Sequence, residues 1–270
     1  MSDPGAGRSS PRRVEFGADA WLVLVAAVPG VRLPAPFRAE DGPALSPEQQ
    51  EAAERALRAS GVVPGTGGDL LADLHPSLRT SLLVHAAPQL VITSAVGLGG
   101  DHRIARHAMA GPLASAVSRR QRPVEGGLQL GPVTLSTMSR DDLATDVVRG
   151  LEGLSGRPDR QVLTIDAAEA LAVVRALGEG KLGVALAIVD GADVPAPLDR
   201  LAGGLRSVAR IDLTTAQGTR VLLALATEDG WWTAMMAFGD LELRPVDEDA
   251  LVVELASALA GTLVRQAAGA

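Results

Sequence analysis

Four histidines are the residues of this sequence best suited to catalysis or metal binding: His75, His85, His102 and His107. A neutral imidazole accepts a proton or coordinates a metal ion near neutral pH. His102 and His107 are five positions apart, a spacing that places them on one face of neither a helix nor a strand. His75 precedes Pro76 and is typical of a helix N-cap, while His85 lies in a helical pattern. We therefore expect structural roles for all four and no metal site.

A nucleophile to accompany these histidines is missing from the sequence pattern. Asp101 precedes His102 and serines are plentiful, but no GxSxG elbow presents a serine to a substrate. Cysteine is absent, which excludes thiol catalysis, disulfides and cysteine-ligated metals. The sequence predicts a protein that is not an enzyme. A hydrolase with an unrecognised site around His102 or His107 remains the alternative.

The glycine-rich and basic segments give no sign of an anion site. Segments 65–69 and 97–101 lack the spacing of phosphate-binding loops, and each ends on an aspartate. We expect turns at both. The one basic cluster, predicted to be a solvated loop, comprises Arg119, Arg120 and Arg122.

Composition narrows the class of protein further. Apolar residues make up 47% of the 270 positions and aromatic residues only 2%, so a large core must be built from leucine, valine and alanine. The net charge of −7 repels phosphate, which excludes nucleic acid as an expected partner. No motif implies a cofactor, and we expect none.

The N-terminal segment does not read as an export signal. Residues 1–13 are rich in Gly, Ser, Pro and charge and predict a disordered leader. Glu15 and Asp19 precede the apolar run at 20–28, where an export signal would be basic or neutral. That run is also too short for a membrane span, which needs about 20 residues. We expect a cytoplasmic protein.

The two halves of the chain open with the same pattern. Alternating Val14 and Phe16 predict a strand before a helix at 18–28, and Leu163 and Ile165 predict one before a helix at 167–177.

The two halves also close alike. Segments 133–151 and 241–259 both read as a strand, an N-cap (Ser139 or Asp247) and an acidic first turn of an amphipathic helix. We interpret this as a duplication, with an N-terminal half at 14–152, a C-terminal half at 161–265 and a boundary near 153–160.

Between these units the sequence predicts helices in the first half only and antiparallel strands in both. Ser46 to Gln49 form a capping box that starts a helix ended by Gly61. Strands are expected at 90–96, 104–109, 113–118, 207–215, 220–227 and 231–238. The predicted fold class is α+β, with a central antiparallel sheet and two helical subdomains related by a pseudo-twofold internal repeat.

Apolar residues exceed what a core needs in two segments. Strand 231–238 is apolar on both faces, with Trp231, Thr233 and Met235 on one of them. The apolar arc of the last helix is wider than a core-facing stripe, and Val253 and Val264 lie outside even that arc. We predict a partner-binding surface there, with these residues at its centre: Trp231, Met235, Val252 and Leu263.

Short motifs over nearly the whole chain are shared with one known family. They are LP at 33–34, LSPE at 45–48, ASG at 59–61, LHPSLR at 74–79, AP at 87–88, SRDDL at 139–143, EDGWW at 228–232 and LRP at 243–245. In these features the chain resembles the EspG family, chaperones associated with ESX (type VII) secretion. The resemblance implies a pseudo-twofold α+β fold and cytosolic, non-enzymatic binding of helical PE–PPE-type substrates at an exposed hydrophobic tip.

Two features depart from the family pattern. The hairpin at 97–101 is short where substrate-binding members have a longer loop, and aromatic anchors are few. The partner could therefore belong to a related class of small helical proteins, and self-association is possible. A ligand-sensing regulatory module is the third alternative.

Overall fold

A computed structural model describes residues 12–28, 31, 33–38, 44–65, 67, 69–98, 101–125, 127–151, 162–165, 172, 205–227, 230–237 and 240–268. The predicted boundary at 153–160 and residues 1–11 lie outside the described residues. Of the helix predicted at 167–177, only Ala172 is described.

The helices of the described residues mostly begin at a side-chain cap, although the first of them, after Gly17, has none. They are α1 (Ala18–Ala26), α2 (Pro47–Ala59), α3 (Leu70–Asp73), α4 (Pro76–Ala86), α5 (Leu143–Arg149) and α6 (Glu248–Ala268). The Ser46 hydroxyl accepts from Gln49 N at 3.2 Å, and the Gln49 side chain accepts from Ser46 N at 2.9 Å. The predicted capping box is therefore confirmed, and Gly61 follows α2 with a φ of 74°, as a C′ glycine does.

The other predicted caps are also present. His75 Nδ1 accepts from Ser77 N at 3.4 Å and begins α4. The Ser139 hydroxyl accepts from Asp142 N in a single 3₁₀ turn, Arg140–Asp142, that leads into α5. Each cap satisfies an N–H group that a helix start leaves without a partner.

In the described part of the chain, ten strands form one sheet. They are β1 (Arg12–Phe16), β2 (Leu90–Leu98), β3 (Asp101–Ala110), β4 (Leu113–Val124), β5 (Gly127–Ser139), β6 (Leu163–Ile165), β7 (Leu205–Thr215), β8 (Gly218–Thr227), β9 (Gly230–Ala237) and β10 (Asp240–Val246).

The strand order across the sheet is β1-β5-β4-β3-β2-β7-β8-β9-β10-β6. Strands β2 and β7 pair antiparallel at its centre, from Val91 opposite Thr214 to Gly97 opposite Val208. Outward from this pair, the first half contributes its second, third, fourth, fifth and then first strand, and the second half does the same. A duplication requires this shared order. The α+β class with a large antiparallel sheet is confirmed, and the internal repeat stays a prediction.

Two of the sequence predictions in the first half were wrong. Arg12 and Arg13, assigned to the leader, are the first residues of β1 and pair with Thr137 and Ser136. The basic cluster at 119–122 is not a loop but the far end of β4. Long arginine side chains are compatible with a strand because their aliphatic stems can lie along a sheet.

The hairpin between β2 and β3 is short, as predicted. Strand β2 ends at Leu98 and β3 begins at Asp101. Gly97 has a φ of 151°, and a Cβ there would overlap the carbonyl oxygen of Asp101. Only glycine permits the two strands to approach this closely.

Contacts divide the chain into two compact units that do not coincide with the predicted halves. One contains the described residues up to Pro88 with Ala108–Ser118 and Pro132–Leu143; the other contains Gln89–His107, Arg119–Gly131 and the described residues from Ala144 onward. In the first unit, Trp21 is fully buried and its indole N–H donates to Phe37 O at 2.9 Å.

Candidate functional site

Helix α6 begins at an aspartate that the sequence identified. The Asp247 carboxylate accepts from Ala250 N at 2.8 Å. Glu248 and Asp249 lie in the first turn and Arg265 in the last, the arrangement that the helix dipole favours. The helix has 21 residues and is therefore about 31 Å long.

One side of α6 belongs to the core. The helix packs against β7 and β10, and at its far end Gln217 Nε2 donates to Arg265 O at 3.2 Å. Its buried residues recur at helical spacing: Leu251, Leu255, Ala258, Leu259 and Thr262. These contacts fix the helix on the second unit.

A second side of α6 is apolar and exposed. Val253 is 65% exposed and Val264 is 68% exposed, as their position outside the core arc predicts. Val252 and Leu263 are half-buried at its margin. We define the outer face of α6 as an arc of about 120° that comprises Val252, Val253, Ala256, Ala260, Leu263 and Val264.

The outer face carries no charged side chain between its first and last residue, and it extends for about 18 Å along the helix. Its centre is Ala256 and Ala260, both exposed, with the larger valines and Leu263 at the two ends. Small residues between larger ones leave a shallow depression into which a helix can pack closely. Charges lie at the ends of the helix, acidic at Glu248 and Asp249 and basic at Arg265.

Trp231, predicted as the central anchor of this surface, belongs instead to the core. It is 1% exposed, lying opposite Ala226 of β8 and Val246 of β10. The apolar pattern of β9 reveals which residues share a face but not which faces are covered, and Trp231 points to a covered one. The side chain of Met235 is outside the described residues, so of the four predicted residues Val252 and Leu263 reach the described surface.

The surroundings of Trp231 are tightly enclosed. Its indole Nε1 and the hydroxyl of Thr233 are buried, and neither has a hydrogen-bond partner among the described residues. Ala224 and Ala226 on β8 are also buried and flank them in the sheet register. Trp231 therefore contributes packing rather than a polar contact.

His107 forms a buried pair with an acid. Its Nε2 atom lies 3.2 Å from Asp146 Oδ2 of α5, and the histidine side chain is 3% exposed. The other ring nitrogen, Nδ1, is buried and has no hydrogen-bond partner within the described part of the chain. A histidine and an aspartate resemble two members of a catalytic triad, but a substrate cannot reach a ring enclosed in this way. His102 lies on the other face of β3, as alternation requires, so the two histidines do not form a common site.

The pair is part of the attachment of α5 to β3. Arg103 lies on the same face of β3, four positions before His107. Its Nη1 donates to Gly150 O at 3.2 Å, just beyond the helix. Both contacts join the same strand to the same helix. This geometry supports a structural role for His107, which holds α5 against β3.

Arginines on β3 and β4 are held by the fold. Arg119 is buried and donates from Nε to Gly131 O at 2.7 Å. Arg120 and Arg122 lie 3.8 and 3.4 Å from the carboxylate of Asp101. Burial also lowers the pKa of Arg106 below its ordinary value, because desolvation disfavours the charged form.

A cleft of about 390 Å³ opens in the first unit between α1 and α2. Leu22, Val23 and Ala26 form its apolar side, and Gln50 and Glu54 supply its polar groups. The Gln50 amide donates to Glu54 at 3.2 Å, so the two polar groups are already paired to each other. The volume suits a small ligand, but the described lining offers few groups to orient one.

The described ranges contain neither a residue cluster suited to a metal ion nor a membrane-spanning helix. No group of three or more His, Cys, Asp or Glu residues in them could hold a metal ion. No helix in them is long and apolar enough to cross a bilayer.

Comparison with solved structures identifies the fold. The type VII secretion system chaperone EspG5 of Mycobacterium tuberculosis, determined in complex with a PE25–PPE41 dimer, superimposes with a TM-score of 0.55 at 13% sequence identity, covering 90% of this chain and 94% of that one. At the level of the fold, the resemblance inferred from sequence is therefore confirmed.

Other comparisons add little. A MaoC-like dehydratase from Phytophthora capsici has a TM-score of 0.16 at 11% identity, with 89% of this chain and 96% of that one covered, and supports no conclusion. No protein-family model matches the sequence, and no curated protein matches it.

Proposed function

We propose that the chain is a substrate-specific chaperone or adaptor of a type VII secretion system, which binds the exposed hydrophobic tip of a helical secretion substrate. The observation that carries the proposal is the fold, shared with EspG5 over nine-tenths of the chain. EspG5 was determined bound to a PE–PPE dimer, and we infer a partner of that type, or a related small helical protein, for this chain. Such a protein acts in the cytoplasm, before export.

The outer face of α6 is the surface we assign to this contact. Its exposed valines are large apolar groups, and their exposure to water contributes nothing to the stability of the fold. An apolar helix laid along about 18 Å of α6 would remove Val253, Ala256, Ala260 and Val264 from water together. Recognition of an amphipathic helix through such a row of contacts is an established mode of binding.

The charges beside this face favour one orientation of the partner. Glu248 and Asp249 precede the face, and Arg265 follows it. A partner helix with basic residues near the start of α6 and an acidic residue near its end would be complementary. Complementary charge sets encounter rate and register more than affinity.

Co-expression tests the proposal. The full chain carries an affinity tag and is produced with each PE–PPE-type dimer encoded in the same genome, and each pair is tested for co-elution in size-exclusion chromatography. We expect one dimer, or a small subset, to form a stable complex. If none of the dimers co-elutes, and none gains solubility from the chain, the proposed function is wrong.

A further inference from the structure

Strand β5 is longer than the strand that covers its outer edge. It has 13 residues, but β1 pairs only with Val133 to Thr137. Strand β1 runs antiparallel and reaches Phe16 opposite Val133, after which the chain turns into α1. Among the described residues, no strand pairs with the outer edge of β5 at 127–131.

This uncovered edge lies at the tip of a hairpin that we call the arm (Arg119–Gly131), formed by the end of β4 and the start of β5. Every second residue of an edge strand directs its backbone N–H and C=O away from its one neighbour. Such a row of groups is a template for an additional strand. Five residues of edge are about 17 Å long, enough to bind a short extended segment.

Two of the exposed side chains on the arm are apolar. Leu128 is 57% exposed and Val124 is 47% exposed. Gln129, which follows Leu128 on β5, is also exposed. Edges that only need protection from aggregation carry charge or proline along their length. Here the uncovered residues 127–131 carry two leucines and no charge, and proline is present only at their end, at Pro132; an apolar, uncharged edge is what strand binding requires.

The charge of the arm indicates its partner. The arm carries three arginines and one acid, Glu125, in a chain whose net charge is −7. Arg120 and Arg122 are about half exposed, and both lie within 4 Å of the carboxylate of Asp101. A second copy of the chain would bring four such arginines together, and like charges repel across an interface.

We propose that the arm binds an extended segment of another protein, with alternating apolar and acidic residues, as an additional strand along β5. The backbone of the edge supplies the affinity, and Leu128, Val124 and the two exposed arginines select the sequence. This site is on β4 and β5 and is separate from the outer face of α6.

A synthetic peptide tests the proposal directly. The probe is a fluorescein-labelled heptapeptide of alternating glutamate with valine or isoleucine, titrated with the full chain by fluorescence anisotropy. We expect saturable binding that weakens at least tenfold when every backbone nitrogen of the peptide is methylated, because methylation removes its N–H donors and leaves its charge unchanged. A peptide with lysine in place of glutamate should also bind at least tenfold more weakly.

Two measurements locate the peptide. Hydrogen exchange should show new protection of amides at 127–131 when the peptide is present. Leu128→Asp should weaken binding at least tenfold, while Val221→Asp, at a valine of β8 that is 52% exposed, should leave it unchanged. Thermal unfolding of both variants shows that they fold.

Three results would overturn the proposal. They are no saturable binding of the acidic peptide, equal binding of the methylated peptide, or protection away from 127–131. A dimer of the chain that Leu128→Asp dissociates, measured by sedimentation velocity, would also overturn it, because the edge would then bind a second copy.

Discussion

His107 Nε2 lies 3.2 Å from Asp146 Oδ2, and this contact joins β3 to α5. Removal of either side chain deprives the other of this hydrogen bond in a largely buried setting, and such a loss typically costs about 1–3 kcal/mol. We therefore expect His107→Ala and Asp146→Ala each to lower the free energy of unfolding by about that amount. The double variant should lose less than the two separate losses combined, by about 0.5–3 kcal/mol. Urea unfolding of the four proteins measures this coupling.

Asp141→Ala is the matched control, since Asp141 is exposed in the turn before α5. Its effect should stay within about 0.5 kcal/mol. Strictly additive losses at His107 and Asp146 would show that the pair contributes nothing to stability. A hydrolytic activity that His107→Ala abolished would restore the enzyme alternative.

Trp231 should behave as a core residue in mutagenesis. Trp231→Ala removes a fully buried indole and should destabilise the protein by about 3–5 kcal/mol. Trp231→Phe should cost clearly less, because the phenyl ring keeps most of the packing and the indole N–H donates to none of the described residues. Denaturant midpoints of the two variants test this order. If Trp231→Ala left the midpoint unchanged but abolished partner binding, Trp231 would be an interface anchor after all.

The contribution of the α2 capping box to stability should be measurable separately from any loss of packing. Ser46 is exposed and its hydroxyl and backbone N–H both bond to Gln49, so its replacement leaves no cavity. Ser46→Ala should cost about 1 kcal/mol and Ser46→Gly only a few tenths. Thermal unfolding of the three proteins gives the ranking. Equal melting temperatures for all three would contradict it.

Local features of the fold were predictable from the sequence, because their causes are local. Ser46, His75, Ser139 and Asp247 cap helices through atoms two or three positions away in the chain. The strands of the second half were predicted to within about two residues, since alternating apolar residues and turn glycines determine them.

The features that the sequence did not predict depend on distant residues. His107 meets Asp146 from 39 positions away, and no periodicity relates them. The burial of Trp231 depends on which face of β9 is covered. The arm was missed because arginines at 119–122 suggested solvent, whereas Arg119 is in fact buried against Gly131. The outer face of α6 was predictable in part, because Val253 and Val264 lie outside the apolar arc with which a helix faces the core.

The outer face of α6 is the centre of the proposed function, and its valines allow a decisive test. Val253→Glu and Val264→Glu place a charge at two exposed positions, so they should leave the melting temperature nearly unchanged. Val221→Glu is the control, because Val221 is a similarly exposed valine on β8. A charge buried without a partner at an apolar contact should cost about 2 kcal/mol or more of binding free energy, which corresponds to about thirtyfold in affinity.

The most direct measurement is the dissociation constant of the PE–PPE-type dimer that co-elutes with the chain, determined by isothermal titration calorimetry for the wild type and these three variants. We predict a loss of about thirtyfold or more for Val253→Glu and for Val264→Glu, and wild-type affinity for Val221→Glu. Wild-type affinity in both α6 variants, with melting temperatures unchanged, would contradict the assignment of the binding surface to α6.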